Sequence, residues 1–292
     1  MVNAPHPWYD DGMGTTAGTL LKEHLRAQVA ALAAAEGDMA WGGEEGVHDA
    51  RVATRRLRAA MTELPRLIED DGAGDLRQRL HGWSQLLGEA RDLEVQLARL
   101  EELGDHVARL RALNTLGSRL EEARTAAVEH LATPEHVRLR EDLERFANDP
   151  PFTRKAKHAW DDELARAAGK ASRRTSRRAD RAVGKEGPEL DEALHRVRKA
   201  ARRARYAAEI LARGSGSVAH DAAETAERFA HVQEVLGRQH DGVVLRRILA
   251  SLRAEAVAAG EDPAPYDELA AAELTRATAS LTTLVLVPSP NS

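Results

Sequence analysis

The sequence predicts an all-α protein, and three observations carry that reading. Aromatic residues make up 3% of the chain while Ala, Leu, Arg and Glu dominate it, a composition that suits helices and makes poor strands. Apolar residues recur at three- and four-residue spacing through long segments, the period of an amphipathic helix. Gly- and Pro-rich stretches punctuate those segments.

Residues 1–14 read as a tail with acids and prolines rather than a signal peptide. Thr15 to Ala35 reads as a first helix with Leu21, Leu25, Val29 and Leu32 on one side. Lys22 and Arg26 lie one turn apart beside that stripe, where they either join a basic surface or face solvent. Gly42, Gly43 and Gly46 break the chain before a second helix from Val47 to Glu69, with Pro65 expected to kink its last turn. Asp71 to Gly74 closes it. A third helix is expected from Asp75 through Leu87-Gly88, bending there and continuing to Leu103, and a fourth over Val107 to Leu131. Thr133 is placed to cap a shorter helix that starts at Pro134 and ends at Ala147.

Residues 148–152, Asn-Asp-Pro-Pro-Phe, read as a linker, dividing the chain into a first helical repeat over 15–147 and a second over 153–287. The second opens with a helix from Thr153 to Val183. Arg166, Lys170, Arg173, Arg174, Arg177 and Arg181 share an arc of about 100° on it, opposite Leu164, Ala168, Ala171 and Thr175. A helix to Arg213, another to Ala259 and a last from Asp267 to Val287 follow, leaving 288–292 as a frayed tail.

One pattern occurs twice. His48, Arg51, Arg55, Arg56 and Arg58 stand at the same relative spacing as His195, Arg198, Arg202, Arg203 and Arg205. On a helical projection each set lies to one side, opposite apolar residues: Ala53, Leu57 and Ala60 in the first, Val197, Ala200 and Ala204 in the second. Lys199 and Tyr206 extend the second face only. Each copy is followed by a Leu-Gly-x-x-[Arg/His]-Asp segment, Leu87 to Asp92 and Leu236 to Asp241, at nearly the same interval. Two ordered motifs recurring together indicate an internal duplication.

The doubled His-Arg helices with their Leu-Gly partners resemble the CHAD domain, a histidine-bearing α-helical domain associated with inorganic polyphosphate. The resemblance covers roughly residues 15–287. It implies two pseudo-symmetric four-helix bundles whose basic helices face a central groove or pore that takes up the polyanion. Many relatives carry an additional triphosphate-tunnel domain with a Glu-x-Glu-x-Lys motif. That motif is absent from this sequence, so the resemblance carries over no catalytic activity.

The formal net charge is −5, so attraction for a polyanion has to come from charge segregated within the fold. Guanidinium suits such a ligand, being always protonated and offering paired N–H donors to a phosphate edge. Helical spacing sets successive Arg about 5–6 Å apart, in step with a chain of repeating anions. The expected polyphosphate-binding set is therefore Lys22, Arg26, the two His-Arg motifs, the basic arc of residues 170–181, Lys199 and Tyr206. A face of solvated, acid-paired arginines is the competing reading.

His48 and His195 remain open between phosphate ligands, packed residues and metal ligands. No His-x-x-x-His, His-Glu-x-x-His or acidic calcium-type loop supports a metal. Asp92 and Asp241 read as structural partners of an Arg or His, with general-base chemistry as the alternative. The chain is expected to be non-catalytic and to need no cofactor. Its expected ligand is polyphosphate, with sulfate or nucleotides as further candidate anions. Nucleic acid is the rival ligand, disfavoured because only Tyr206 supplies an aromatic platform on the stripes. With no cysteine and no apolar run longer than Val29 to Ala35, a soluble cytoplasmic protein without membrane contact is expected, associated with polyphosphate granules if the reading holds.

Overall fold

The structure, a computed structural model, describes residues 15–70, 73–103 and 107–281. It is all-α: α1 (Ala17–Ala40), α2 (Gly46–Glu63), α3 (Ala73–Glu101), α4 (Val107–Leu131), α5 (Pro134–Asn148), α6 (Trp160–Asp180), α7 (Gly187–Leu211), α8 (Gly216–Ala258) and α9 (Ala264–Leu281), with a short 3-10 turn at Arg154–Lys157. Among the described residues the only β-type pairings are two isolated bridges, Thr16 with Ala159 and Ile68 with Phe152. None of the described helices is long and apolar enough to cross a membrane. The tails expected at 1–14 and 288–292, and the last helical residues expected to Val287, lie outside the described residues.

Local chemistry accounts for most boundaries. The Thr16 hydroxyl accepts a hydrogen bond from Thr19 N at 3.1 Å and caps α1. That helix runs beyond the expected Ala35 because Glu36 and Met39 are themselves buried against neighbouring helices. It ends where Gly42 adopts φ +77°, the left-handed region glycine enters freely. A Cβ at Gly46 would lie 2.6 Å from Met39 N, so only glycine lets α2 start so close to the end of α1.

Two further helices differ from expectation. α2 stops at Glu63 instead of kinking at Pro65. Leu64 leaves helical geometry at φ −114°, ψ 48°, as the residue before a proline is sterically pushed to do. α6 begins at Trp160 rather than Thr153 because the intervening backbone is committed elsewhere. Thr153 N donates to Leu67 O at 2.9 Å, and His158 O accepts from Ala17 N at 3.0 Å. α3 passes through Leu87-Gly88 as one helix, and Thr133 caps α5 by accepting from His136 N at 3.3 Å.

Consecutive helices pack as hairpins, α1 on α2, α3 on α4, α6 on α7 and α8 on α9, while α2 lies against α7 and α3 against α8. The main apolar cluster draws on helices from both sides of residues 148–152, including Leu21, Leu57, Trp83, Leu143, Leu164, Ile210 and Leu236. A second cluster joins the far ends of the α3–α4 and α8–α9 hairpins through Leu100, Leu116, Leu245, Leu249 and Leu269. The Arg99–Glu273 pair is buried beside it, and the Arg111–Glu261 and Arg276–Glu102 pairs tie the same two hairpins together at the surface. The main cluster, which includes Leu57 of α2 and Ile210 of α7, supports the α2–α7 contact, on which the two His-Arg motifs lie.

Candidate functional site

α2 and α7 are amphipathic for a reason visible in their packing. Ala50, Ala53, Leu57 and Ala60 on α2, and Val197, Ala201, Ala204 and Ala208 on α7, are buried. Small side chains let the helices approach closely, and the arginines are left around the rim and along the shared face. Two groups of cations result.

In the first group each cation has an acid. Arg56 grips Glu209 with two bonds, Nε to Oε2 at 2.9 Å and Nη2 to Oε1 at 3.2 Å, and Arg205 Nε donates to the same carboxylate at 2.7 Å. Arg203 Nε lies 3.2 Å from Glu63 Oε1. The Arg56–Glu209 and Arg203–Glu63 pairs bridge α2 and α7. Arg56 and Arg203 thus tie the two helices together, and Arg205 holds Glu209 in place from its own helix.

The second group is the centre of the contact. Arg55, Arg198 and Arg202 have no carboxylate within ion-pairing distance among the described residues. Arg202 is pressed by its surroundings: burial, then the charges of Arg55, Arg198 and Arg51, lower its pKa to about 10, with Tyr206 opposing. Arg55 is lowered by burial and by Arg51 and Arg205, again opposed by Tyr206, and its buried Nε has no hydrogen-bond partner. Arg58, half-buried, is lowered by burial alone. Tyr206 is 5% exposed, so it supports the cluster from beneath and offers no ring to solvent.

The Leu-Gly segments act on this centre from α3 and α8. Arg51 Nη1 donates to Gly88 O at 2.8 Å and lies 3.0 Å from Asp92 Oδ1. The same guanidinium is the nearest group to a Cβ built on Gly88, at 3.3 Å, and Arg198 is the nearest to one on Gly237, at 3.8 Å. The first Arg of each motif therefore lies over the glycine of the segment that follows it. Asp241 is half-buried near Arg198 and Arg99, with burial raising its pKa against their attraction.

The histidines are held neutral. His195 lies against His240, the rings tilted by 34° with centroids 4.6 Å apart. Burial, then His240, Lys199 and Arg198, lower the His195 pKa to about 4. Burial and Arg198 lower His240, and burial and Arg91 lower His48. Among the described residues no group of three or more His, Cys, Asp or Glu side chains is placed to hold a metal ion.

The remaining expected residues lie further out. On α6, Lys170, Arg173, Arg177 and Arg181 are exposed and Arg174 is half-buried. Arg178, which the helical projection did not single out, reaches across to α7, where its Nη1 donates to Arg196 O at 3.1 Å. Its pKa is lowered by burial and by Arg203, Arg174, Arg196 and Arg181. Positive charge therefore continues from the α2–α7 centre over α7 onto α6. On α1, Lys22 is half-buried, and Arg26 Nε donates to Asn148 Oδ1 at 3.0 Å, at the end of α5.

Glu209 and Glu63 were missed by the sequence reading because their partners lie across the α2–α7 contact. The one local signal was Arg205–Glu209 at i,i+4 spacing. His240 stood in the Leu-Gly motif, but its partnership with His195 depends on how α8 packs on α7. Chemically, the centre offers fork-shaped donors at fixed positions with little internal neutralisation, which suits an oxyanion.

Comparison with known proteins bears on the fold and family. The family model for the CHAD domain matches residues 23–250. Two strains of Mycobacterium tuberculosis carry an uncharacterised protein 28% identical over 235 residues, a match covering 76% of this chain and 43% of that protein. The chain thus spans less than half the length of these curated relatives. Among solved structures, the CHAD domain from the plant Ricinus communis superposes with a TM-score of 0.69 at 22% identity, covering 97% of this chain and 98% of that one. PptA from Streptomyces chartreusis superposes with a TM-score of 0.68 at 20% identity, covering 91% and 98%.

Proposed function

The chain belongs to the CHAD domain family, and from that premise we propose that it is a non-catalytic module that binds inorganic polyphosphate across the α2–α7 contact. The observation that carries this is the centre of the contact: Arg55, Arg198 and Arg202 lie together beside Arg51, and none of the three has a carboxylate within ion-pairing distance among the described residues. Assembling like charges in a half-buried place costs stability, and a bound polyanion removes that cost. Polyphosphate has a negative charge on every unit and no base to read, so a track of guanidiniums is sufficient recognition. The flow of charge over α7 to Arg178 and Arg174 gives a longer chain further contacts.

Nucleic acid is the weaker reading, because Tyr206, the one aromatic on the stripes, is buried and cannot stack on a base. In the cell the module would anchor its protein to polyphosphate stores or sense them. The test is binding of long-chain polyphosphate to the purified protein and to Arg198→Glu/Arg202→Glu. Loss of binding in the variant at unchanged helicity supports the site, and equal affinity removes it.

A further inference from the structure

A cleft of about 470 Å³ opens between α3, α4 and α8, on the far side of Asp92 from the arginine centre. Its walls are apolar: Leu93 on α3, Ala123 and Ala126 on α4, and Val244 and Ile248 on α8. Its polar groups are mainly acceptors. Glu89, Asp92 and Glu122 stand against one cation, Arg119. Asp92 is already engaged by Arg51 at 3.0 Å, which leaves Glu89 and Glu122 as the cleft carboxylates with no ion-pair partner among the described residues.

Gln96 marks the cleft as a place for a ligand. It lines the cleft, is 2% exposed, and its carboxamide oxygen is buried with no hydrogen-bond partner among the described residues. A buried acceptor left unpaired bears the full cost of losing its water, so it calls for a donor. Glu89, Asp92 and Gln96 follow one another along α3 at three- and four-residue steps, and the step from Asp92 to Gln96 rises about 6 Å. That is close to the length of a four-carbon chain carrying a nitrogen at each end.

We propose that this cleft binds an aliphatic amine cation of the short diamine or polyamine class, independently of the polyphosphate reading. One ammonium sits between Glu89 and Glu122, beside Asp92. The methylenes lie on Leu93, Ala123, Ala126, Val244 and Ile248, and the second nitrogen donates to Gln96. The volume suits a ligand of this size, and the apolar walls lower the local dielectric in which the charge is paired.

The experiment titrates putrescine into the purified full chain by calorimetry at low ionic strength, with 1-butanol as the uncharged control. The same titration is run on Gln96→Leu, on Ala126→Trp, which fills the cleft from an exposed position, and on Glu141→Gln in the separate acidic cleft between α3 and α5. Circular dichroism confirms that each variant is folded. The proposal expects saturable binding of putrescine and none of butanol, at least tenfold weakening by Gln96→Leu and by Ala126→Trp, and no change with Glu141→Gln. No saturable binding, or binding that survives both cleft variants, overturns it.

Discussion

Replacing Arg202 with Met keeps the apolar stem against α2 and α7 and removes the charge, and should stabilise the empty protein while weakening its grip on polyphosphate. The folded pKa of about 10 lies below the ordinary guanidinium value, which exceeds ~12. Because the folded value is the lower one, the cost of the charge is in full force below about pH 10. It is relieved only as pH rises from there through the unfolded range. Two to three decades at ~1.4 kcal/mol each set a ceiling of about 3–4 kcal/mol. Solvent screening of a half-buried group reduces this to ~1–2 kcal/mol. In a protein of this size each kcal/mol moves the melting temperature by ~2–4 °C, so Arg202→Met should melt ~2–8 °C higher in phosphate-free buffer. Its affinity for polyphosphate should fall at least tenfold. A variant that melts lower and binds as well as the parent would show that Arg202 is neutralised inside the fold, and the reasoning fails.

Three further outcomes can be checked. Glu209→Gln strands Arg56 and Arg205, and should cost about 1–3 kcal/mol in urea denaturation while raising polyphosphate affinity, since two more guanidiniums lose their internal partner. His195, with a folded pKa of about 4, contributes stability that is complete above its unfolded value near ~6.5 and is lost as pH falls toward the folded one. A bound polyanion favours the imidazolium, so calorimetry near pH ~5.5 in buffers of different ionisation enthalpy should show proton uptake on binding that His195→Ala reduces. Leu249→Ala, in the second apolar cluster and 1% exposed, should cost about 2–5 kcal/mol of stability and leave affinity unchanged at temperatures where the variant is folded.

The sequence carried the parts of this protein that depend on neighbours a few residues apart. The bounds of α4, the Thr133 cap of α5 and the opposed basic and apolar faces of α2 and α7 are all local patterns. What it could not carry depends on which elements meet. α1 extends through Glu36 because His136 of α5 meets that carboxylate at 3.0 Å in the interior, and a buried charge looks like a helix end when only the sequence is in view. Residues 153–159 have helix-compatible composition, yet their backbone is taken by Leu67 and Ala17. At the site, all the motif arginines look equivalent on a helical wheel. Only the α2–α7 packing separates Arg56, Arg203 and Arg205, which hold acids, from Arg55, Arg198 and Arg202, which do not. Arg178 lay outside the expected basic arc, and the packing of α6 on α7 brings it to Arg196.

The most direct test of the central claim is a titration of the purified chain with long-chain polyphosphate across a salt series, with RNA at equal phosphate concentration as competitor. Engagement of three to six cations gives a plot of log affinity against log salt with a slope of about −2 to −4. The account expects such a slope, binding that RNA does not displace, and its loss in Arg198→Glu/Arg202→Glu. Binding that is absent, insensitive to salt, or displaced by RNA would contradict it.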